Sequence, residues 1–269
     1  MEKEEIKKKV QNTFGKNAEK YVTSKIHGDA AELNQLVQTL NPKKDWVVLD
    51  IATGGGHVAK SLAPFVSQVF AADLTKEMLA NTARHLENYK NIWYIVADAE
   101  ALPFLDETFD AVTCRIAPHH FPHPEKFIAD AGRVLKPGGS FLLVDNVAPD
   151  EKELADYMNT VEKLRDDSHY RCLSTAEWRK LFAASGLNET NTKSRKKTFE
   201  FPSWVKRTAE SEEQIRAVEE YILQADQAAA DYFQIEHHEG KVQSFKVDEW
   251  MALCIKHIGG NDHGFKPEK

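Results

Sequence analysis

Short apolar segments alternate with amphipathic segments through the middle of the chain. The apolar segments predict five strands, at residues 46–51, 68–72, 92–96, 109–116 and 140–144. Between them, Val58, Leu62 and Phe65 recur at helical spacing, and residues 76–89 and 125–135 carry the same period. Strands that alternate with helices are typical of βαβ units, in which parallel strands form one sheet with helices on both faces. We therefore predict an α/β fold with a mostly parallel sheet.

The pattern changes after residue 149, where charged amphipathic segments replace the alternation. Residues 151–165, 175–185 and 212–232 predict helices, and weaker patterns at 190–201 and 247–257 predict two final antiparallel strands. Together with the first five, they give a sheet of seven strands. The chain is interpreted as a single domain with three parts: a helical cap at 1–40, a cofactor-binding core at 41–147, and lid helices with the final strands at 148–269.

Composition and charge indicate which kinds of binding partner are compatible with this chain. The chain has 269 residues, of which 42% are hydrophobic and 29% are charged, so it can bury one sizeable core. Its formal net charge of -7 argues against a large phosphate-binding surface, because nucleic-acid-binding proteins concentrate Lys and Arg. One basic run at 193–197 is interpreted as a solvated face. No nucleic-acid partner is therefore predicted.

The number and spacing of the cysteines and the lengths of the apolar runs indicate the cellular compartment. Cys114, Cys172 and Cys254 are odd in number and widely spaced, which fits neither a disulfide framework nor a thiolate zinc site. Residues 1–10 form a charged Glu/Lys pattern rather than an apolar leader, and no run of about 18 apolar residues occurs. We expect a cytoplasmic protein without a membrane span.

A glycine-rich turn follows the first predicted strand. Residues 50–56 read DIATGGG, and the backbone at Gly54 and Gly56 can approach a ligand because glycine has no side chain to intervene. The spacing alone also fits a dinucleotide site, with Asp73 at the end of the second strand as the ribose-binding acid. Asp50 favours a different ligand, since a carboxylate that faces this turn repels a pyrophosphate but attracts an ammonium group. The turn therefore predicts a nucleotide-type ligand that carries positive charge.

Five sequence segments together resemble the class I S-adenosylmethionine-dependent methyltransferases. They follow the family's order and spacing: VLDIATGGG at 48–56, AD at 72–73, DAEALPF at 98–104, FD at 109–110 and RVLKPGG at 133–139. Within that class, roughly residues 10–147 are similar to the ubiquinone/menaquinone-biosynthesis group of small-molecule methyltransferases. The resemblance implies a Rossmann-like fold, S-adenosylmethionine as cofactor, S-adenosylhomocysteine as product and a small-molecule acceptor.

The resemblance also implies roles for individual residues. Asp73 would accept hydrogen bonds from the ribose hydroxyls, and Leu74 would pack on the adenine. Asp98 would accept a hydrogen bond from the adenine amino group, with the backbone of Ala99 beside it. Gly54 would let the backbone meet the methionine end of the cofactor.

Three further residues belong to the predicted cofactor site. Ala52 stands where many relatives have the first of three glycines, and its methyl group should crowd the turn only slightly. Gly56 ends the turn, and Arg115 lies at the end of the fourth predicted strand. We expect all three to contribute to cofactor binding, together with Asp50.

The N-terminal segment offers one more candidate. In this family a segment with Phe, Ala and Tyr at helical intervals folds over the cofactor, and Phe14, Ala18 and Tyr21 match that spacing. Tyr21 would then contact the methionine moiety. The alternative is that the three side chains only bury one face of a helix.

Two adjacent histidines follow the fourth predicted strand. His119 and His120 lie at the carboxyl end of the sheet, where open parallel sheets bind ligands, and Asp145 ends the fifth strand. Methyl transfer is an in-line displacement that depends on alignment, and it needs a base only when the acceptor arrives protonated. Histidine takes up such a proton near neutral pH. We predict His119 or His120 as a base that Asp145 orients, and the alternative is a loop histidine without a catalytic role.

Other functions compete with methyl transfer to a small molecule, of which O- or C-methylation is favoured. A nicotinamide-dependent oxidoreductase would use the same turn but gives no reason for Asp98 and Ala99. A non-catalytic cofactor-binding or regulatory protein would keep the fold without turnover. The spacing of His237, His238, His257 and His263 fits no metal scaffold, so no metal is predicted. No pattern in the sequence identifies the acceptor or an oligomeric state.

Overall fold

The structure is a computed structural model that describes residues 2–16, 18–19 and 28–258. Its centre is one sheet, whose strands are β1 Val47–Ile51, β2 Gln68–Asp73, β3 Ile92–Val96, β4 Phe109–Arg115, β5 Leu135–Val147, β6 Leu187–Glu200, β7 Glu236–His238 and β8 Lys241–Lys256. The predicted α/β fold with a mostly parallel, Rossmann-like sheet is confirmed. The short strand β7 was not predicted, so the described residues form eight strands rather than seven.

Helices flank the sheet and cover its carboxyl edge. They are α1 Glu2–Lys16, α2 Ala30–Leu40, α3 His57–Leu62, α4 Lys76–His85, α5 Pro124–Val134, α6 Lys152–Arg165, α7 Thr175–Ala184, α8 Phe201–Val205, α9 Glu212–Leu223 and α10 Gln227–Tyr232. The prediction of one helix at 212–232 is wrong, because the Asp226 side chain accepts a hydrogen bond from the Ala229 N–H and begins a second helix. Within the described residues, none of the helices has the length and apolar character needed to cross a membrane.

The strand order places a crevice at the carboxyl edge of the sheet. The order is β3-β2-β1-β4-β5-β8-β6, with β7 paired to β8. Strands β1 to β5 are parallel, whereas β8 is antiparallel to both β5 and β6. The chain winds outward from β1 to β3 and then returns to the other side of β1 to form β4. The connections after β1 and β4 therefore diverge, and ligands bind at such switch points in open α/β sheets.

Apolar side chains cover both faces of the parallel strands. Val48, Leu49 and Ile51 of β1 are at most 1% exposed and belong to two separate apolar clusters. Phe127 of α5 packs in one cluster and Leu36 of α2 in the other. A strand that is buried on both faces is mostly apolar, which is why β1 could be recognised from the sequence.

A third apolar cluster lies under the C-terminal helices. Trp204 of α8 and Val218 of α9 pack there with Phe245 of β8. Strand β5 pairs with β8 as far as Asp248, and β6 continues to pair with it as far as Ser244. This extension of β6 and β8 carries the helices α6, α8 and α9, which we call the lid, beyond the carboxyl end of β5.

We expect Gly56→Ala to destabilise the fold by about 1 to 2 kcal/mol more than Gly186→Ala. Both glycines have positive φ, 74° and 67°, so alanine is strained at either position. At Gly56 the added methyl carbon would also lie 2.5 Å from Thr82 Cγ2 and 2.7 Å from Leu86 Cδ1, whereas at Gly186 nothing lies within 4 Å. Chemical denaturation measures both variants. Equal losses of unfolding free energy would contradict this packing role of Gly56.

Candidate active site

A cleft with about 1090 Å³ of empty space opens at the carboxyl edge of the sheet. It is lined by most of the residues predicted to bind the cofactor: Asp50, Ala52, Gly54, Asp73, Leu74, Asp98, Ala99 and Arg115. Of the described residues predicted for this site, only Gly56 lies away from the cleft, against Thr82 and Leu86. Tyr21 lies outside the described residues, so its contact with the cofactor stays a prediction.

Asp50 is buried at the end of β1, where two hydroxyl groups hold its carboxyl group. Thr53 Oγ1 donates to Asp50 Oδ2 at 2.6 Å, and Thr113 Oγ1 donates to Asp50 Oδ1 at 2.8 Å. Burial raises the pKa of Asp50 to about 6, although both hydroxyls and Arg115 favour the charged form. A positive charge in the cleft would therefore interact favourably with this carboxylate.

The turn after Asp50 presents its backbone to the cleft. Ala52 and Gly54 both have a left-handed φ of 52°. Alanine adopts this conformation less readily than glycine. The alanine at position 52, where many relatives have glycine, therefore strains the backbone rather than crowding the turn. A Cβ at Gly54 would meet only the Ala52 carbonyl oxygen, at 3.9 Å, and the Thr82 hydroxyl donates to the Gly54 carbonyl oxygen. The turn is thus fixed in place while its inner face stays open.

Asp73 ends β2 and supports the turn. Its Oδ2 accepts a hydrogen bond from the Gly54 N–H and its Oδ1 accepts one from the Thr75 N–H, both at 2.9 Å. Burial raises the pKa of Asp73, while these hydrogen bonds act to lower it. Each carboxylate oxygen can accept a further hydrogen bond. Asp73 is therefore able to bind hydroxyl groups of a ligand while it positions Gly54.

The loop after β3 places two acids at the far end of the cleft. Lys7 of α1 reaches both, with its Nζ 2.6 Å from Asp98 Oδ2 and 2.6 Å from Glu100 Oε2. Ala99 between the two acids lines the cleft. Lys7 was not predicted, because nothing in a charged Glu/Lys helix indicates a partner 91 residues away.

Helix α1 lies across the mouth of the cleft and is attached at two further points. Gln11 Nε2 donates to the Leu74 carbonyl oxygen at 3.1 Å. The ring of Phe14 meets the ring of His120 edge-on, with centroids 5.1 Å apart. Together with Lys7, these contacts make α1 the roof of the cleft.

A second cavity of about 700 Å³ adjoins the cleft and lies under the lid. The two spaces share Phe14, Arg115, Ile116 and His120, so these four residues border their junction. Aromatic, basic and amide side chains complete the wall of the second cavity, among them Asn146, Arg165, Lys197, Phe199, Trp204 and Arg207. Sequence reasoning missed most of this wall, because its members come from separate segments of the chain.

Guanidinium groups stack on the aromatic rings of the second cavity. The Arg165 guanidinium carbon lies 4.5 Å from the Trp204 ring centroid, and that of Arg207 lies 5.3 Å from the Phe199 ring centroid. In such a cation–π contact, the planar guanidinium group lies against the face of the aromatic ring. These contacts hold the two aromatic rings in place within the wall.

Lys197 corrects one interpretation of the sequence. It belongs to the basic run that was interpreted as a solvated face, yet its side chain is only 13% exposed and lines the second cavity. Its Nζ lies 2.6 Å from Glu249 Oε2 and 3.6 Å from Glu32 Oε1. Alternate residues of a strand share a face, so Arg195 lies on the same face as Lys197, although its side chain is 43% exposed. The two acids compensate both charges.

Arg115 ends β4 between the two cavities, and its side chain is 6% exposed. Its Nη2 lies 2.7 Å from Glu32 Oε2 of α2. This ion pair connects α2 to the wall that the cavities share. Arg115 was predicted to bind cofactor, but its partner Glu32 was not predicted, because the two residues are 83 positions apart.

His119 and Asp145 lie in direct contact. His119 Nδ1 is 2.7 Å from Asp145 Oδ1, and the His119 backbone N–H donates to Asp145 Oδ2 at 3.0 Å. Burial acts to lower the pKa of His119, whereas the charge of Asp145 and the hydrogen bond to it act to raise the pKa. The overall effect is a raised pKa. His119 lines the second cavity and carries positive charge readily beside it.

His120 has the opposite electrostatic character. Burial and the positive charge of His119 lower the pKa of His120 to about 4. Its Nδ1 lies 2.9 Å from the Ser168 carbonyl oxygen. The ring is therefore neutral near pH 7 at the point where the two cavities meet.

The described residues contain no group of three or more His, Cys, Asp or Glu side chains placed to hold a metal ion. His237 and His238, which were considered as metal ligands in the sequence analysis, lie exposed on β7. His257 follows β8 and is also exposed, and His263 lies outside the described residues.

Comparisons with known proteins by sequence point to one family. The sequence profile of a methyltransferase domain matches residues 49–143, which include the glycine turn and both adjacent histidines. The uncharacterized methyltransferase YcgJ of Bacillus subtilis (strain 168) is 34% identical over 249 residues, which are 91% of this chain and 98% of the relative. The ubiquinone/menaquinone biosynthesis C-methyltransferase UbiE of Rickettsia typhi is 30% identical over 55% of this chain and 64% of that protein.

Solved structures show the same likeness. A protein of Bacillus halodurans C-125, described as a methyltransferase, has a TM-score of 0.82 and 38% identity, over 85% of this chain and 100% of that chain. The structure of YcgJ has a TM-score of 0.83 and 32% identity, over 85% of this chain and 99% of that chain. Because relatives matched over nearly their whole length share both sequence and fold with it, the chain belongs to the class I S-adenosylmethionine-dependent methyltransferases.

Proposed function

We propose that this protein transfers a methyl group from S-adenosylmethionine to a small molecule that binds in the second cavity, by O- or C-methylation. The observation that supports this most directly is the junction of the cleft and the second cavity at His120. A cofactor in the cleft and an acceptor under the lid would meet there. S-adenosylmethionine supplies a methyl group that is bound to a positively charged sulfur.

The cleft fits this cofactor in backbone access and in charge. Gly54 keeps the turn open, and the Asp50 carboxyl group lies where it would attract an ammonium group. A pyrophosphate at this turn would instead meet the Asp50 carboxylate, which disfavours a dinucleotide.

The residues of this chain then have three tasks in the reaction. The stacked Arg165–Trp204 wall orients the acceptor, and α1 and the lid exclude water from the junction. His120 takes up a proton from the acceptor, since its ring is neutral and lies at the junction. His119 and Asp145 form a charged pair beside it that lines the acceptor side.

We expect the affinity for S-adenosylhomocysteine to fall about tenfold between pH 7 and pH 5. Asp50 has a pKa of about 6, so its carboxyl group is charged above pH 6 and takes up a proton as the pH falls through that value. The protonated group no longer attracts the ammonium group of the ligand. Calorimetric titration measures the affinity, and Asp50→Asn is the control, in which most of this pH dependence should disappear. A wild-type affinity that is the same at both pH values would contradict the Asp50 assignment.

A screen with radiolabelled S-adenosylmethionine tests whether the protein is a catalyst. Label that appears in a fraction of small metabolites supports the proposal. Binding of S-adenosylhomocysteine without label transfer to any fraction would favour a non-catalytic cofactor-binding protein. Binding of NAD instead of S-adenosylhomocysteine would favour an oxidoreductase.

A further inference from the structure

We propose that Asp166 and Ser168 are positioning residues that hold a hydrogen on Nδ1 of His120 and so leave the lone pair of this base on Nε2. The inference rests on the proposed function and deepens it, since it assigns the atom that receives the proton of the acceptor. It concerns the loop at 166–171, which belongs to the connection between α6 of the lid and α7.

The tautomer of His120 follows from what surrounds Nδ1. The Ser168 carbonyl oxygen lies 2.9 Å from Nδ1, and a carbonyl oxygen only accepts hydrogen bonds. The Ser168 hydroxyl oxygen lies 3.3 Å from Nδ1, and it donates its own hydrogen to Asp166 Oδ1 at 2.5 Å. Both neighbours therefore require a hydrogen on Nδ1. A neutral imidazole has one N–H, so its lone pair is on Nε2.

Asp166 holds Ser168 in the position that this contact needs. Its Oδ1 accepts hydrogen bonds from both the backbone N–H and the hydroxyl of Ser168, at 2.8 Å and 2.5 Å. The Asp166 N–H in turn donates to the Glu162 carbonyl oxygen in α6. Asp166 is 3% exposed and Ser168 is fully buried. The contacts form a continuous link from α6 to the ring of His120.

The loop is also attached to the histidine turn through His119. The backbone N–H groups of Tyr170 and Arg171 both donate to the His119 carbonyl oxygen, at 2.9 Å and 3.0 Å. The loop and the turn at Pro118–His120 are thus joined at two adjacent residues. Reorientation of the His120 ring would require the loop to move with it.

The charges that face His120 favour the neutral ring. Burial and His119 lower its pKa, and Asp166 and Asp145 raise it by less. His169 of the same loop lies 6.4 Å away between ring centroids, and burial and the neighbouring histidines lower its pKa as well. His119 is the exception, because Asp145 raises its pKa. At pH 7 the lone pair of His120 is therefore available.

The assigned proton transfer is balanced. For a hydroxyl acceptor, the O–H proton moves to His120 Nε2 and the oxygen forms a bond to the methyl carbon. The bond between that carbon and sulfur breaks, and its electron pair stays on sulfur. His120 then carries a second N–H and a positive charge, while its Nδ1–H still donates to Ser168.

Nuclear magnetic resonance of the full chain with ¹⁵N-labelled histidine tests the tautomer without methyl transfer. Long-range ¹H–¹⁵N correlations at pH 7 distinguish protonated from unprotonated ring nitrogens, and His120→Gln identifies the signals by their loss. We expect a protonated Nδ1 and an unprotonated Nε2. A hydrogen on Nε2 in the wild-type protein, alone or with one on Nδ1, would overturn the proposal.

Three variants test the positioning role. Asp166→Ala should lose the single-tautomer signature and give the mixture of an unconstrained imidazole. Asp166→Asn should retain it, since the amide oxygen still accepts from Ser168. Asp167→Asn is the matched control and should match the wild type, because the Asp167 side chain is 77% exposed and only approaches Lys9, at 3.9 Å. An unchanged signature in Asp166→Ala would overturn the role of Asp166.

The proposed function is tested on the same sample by titration with S-adenosylhomocysteine. Chemical-shift changes at the cleft report cofactor binding, whereas the ring nitrogens of His120 report the tautomer. A failure of the cofactor assignment is therefore distinguishable from a failure of the positioning proposal.

Discussion

Replacing His120 with alanine is expected to lower the rate of methyl transfer by about 10²- to 10⁴-fold, while the affinity for S-adenosylhomocysteine stays close to that of the wild type. The ring lies at the junction of the two cavities and is neutral at pH 7, so its loss removes the group that takes up the proton of the acceptor. The assay uses the acceptor that the radiolabel screen identifies.

The pH dependence of the wild-type rate of methyl transfer is a second test of the role of His120. A base with a pKa of about 4 is unprotonated throughout the neutral range and is lost only as the pH falls toward that value. The limb that belongs to His120 should therefore lie near pH 4 rather than near pH 6.5.

Two histidine variants complete this experiment. His119→Ala should reduce the rate by less than His120→Ala, since His119 lines only the acceptor side. His123→Ala is the matched control and should keep the wild-type rate, because His123 contacts Glu125 outside both cavities. Full turnover of the His119, His120 and double variants across pH 6 to 9 would mean that the protein works by proximity alone.

Asp73→Ala is expected to weaken binding of S-adenosylhomocysteine by about 1 to 3 kcal/mol. The substitution removes a charged acceptor for the ribose hydroxyls. It also removes the hydrogen bond from Gly54, so the turn that borders the cleft loses a support. Calorimetric titration measures the change in affinity.

Two controls separate binding from folding in that experiment. Asp73→Asn keeps the shape and an acceptor oxygen, so it should lose less affinity than Asp73→Ala. Asp106→Ala removes an acid that is 72% exposed and pairs with Arg133 away from the cleft, so its affinity should match the wild type. An unchanged affinity in a folded Asp73→Ala variant would show that the ribose assignment is wrong.

Much of the fold could be predicted because the parallel strands carry a strong local signal. β1 and β4 are covered on both faces, so each is mostly apolar and is bounded by turn residues. The glycine turn and the acid at the end of β2 were also recognisable, since each occupies a fixed place in the βαβ unit. These features located the cleft before any contact was known.

The rest of the site depends on contacts between distant segments, which leave no local pattern. Lys7 reaches Asp98 and Glu100 across the cleft, and Glu32 joins Arg115 to the strand β6 through Arg195. The split of the predicted helix at 212–232 depended on one side-chain cap. Such pairings are decided by packing, so the sequence alone indicates only that the partners are charged or polar.

The adjacent histidines show the same limit within the site. Their place after β4 identified them as candidates, but both are equivalent in sequence. Their difference comes from Asp145, which contacts His119, and from Ser168, which contacts His120. The choice of His120 as the base therefore needed the structure.

A crystal structure with bound S-adenosylhomocysteine tests the central claim most directly, because it shows where the sulfur lies relative to the second cavity. We predict that the ligand occupies the cleft, with its ribose hydroxyls on Asp73, its amino group toward Asp50 and its sulfur facing His120. A ligand bound outside the cleft, or a sulfur that faces away from the second cavity, would contradict methyl transfer across this junction.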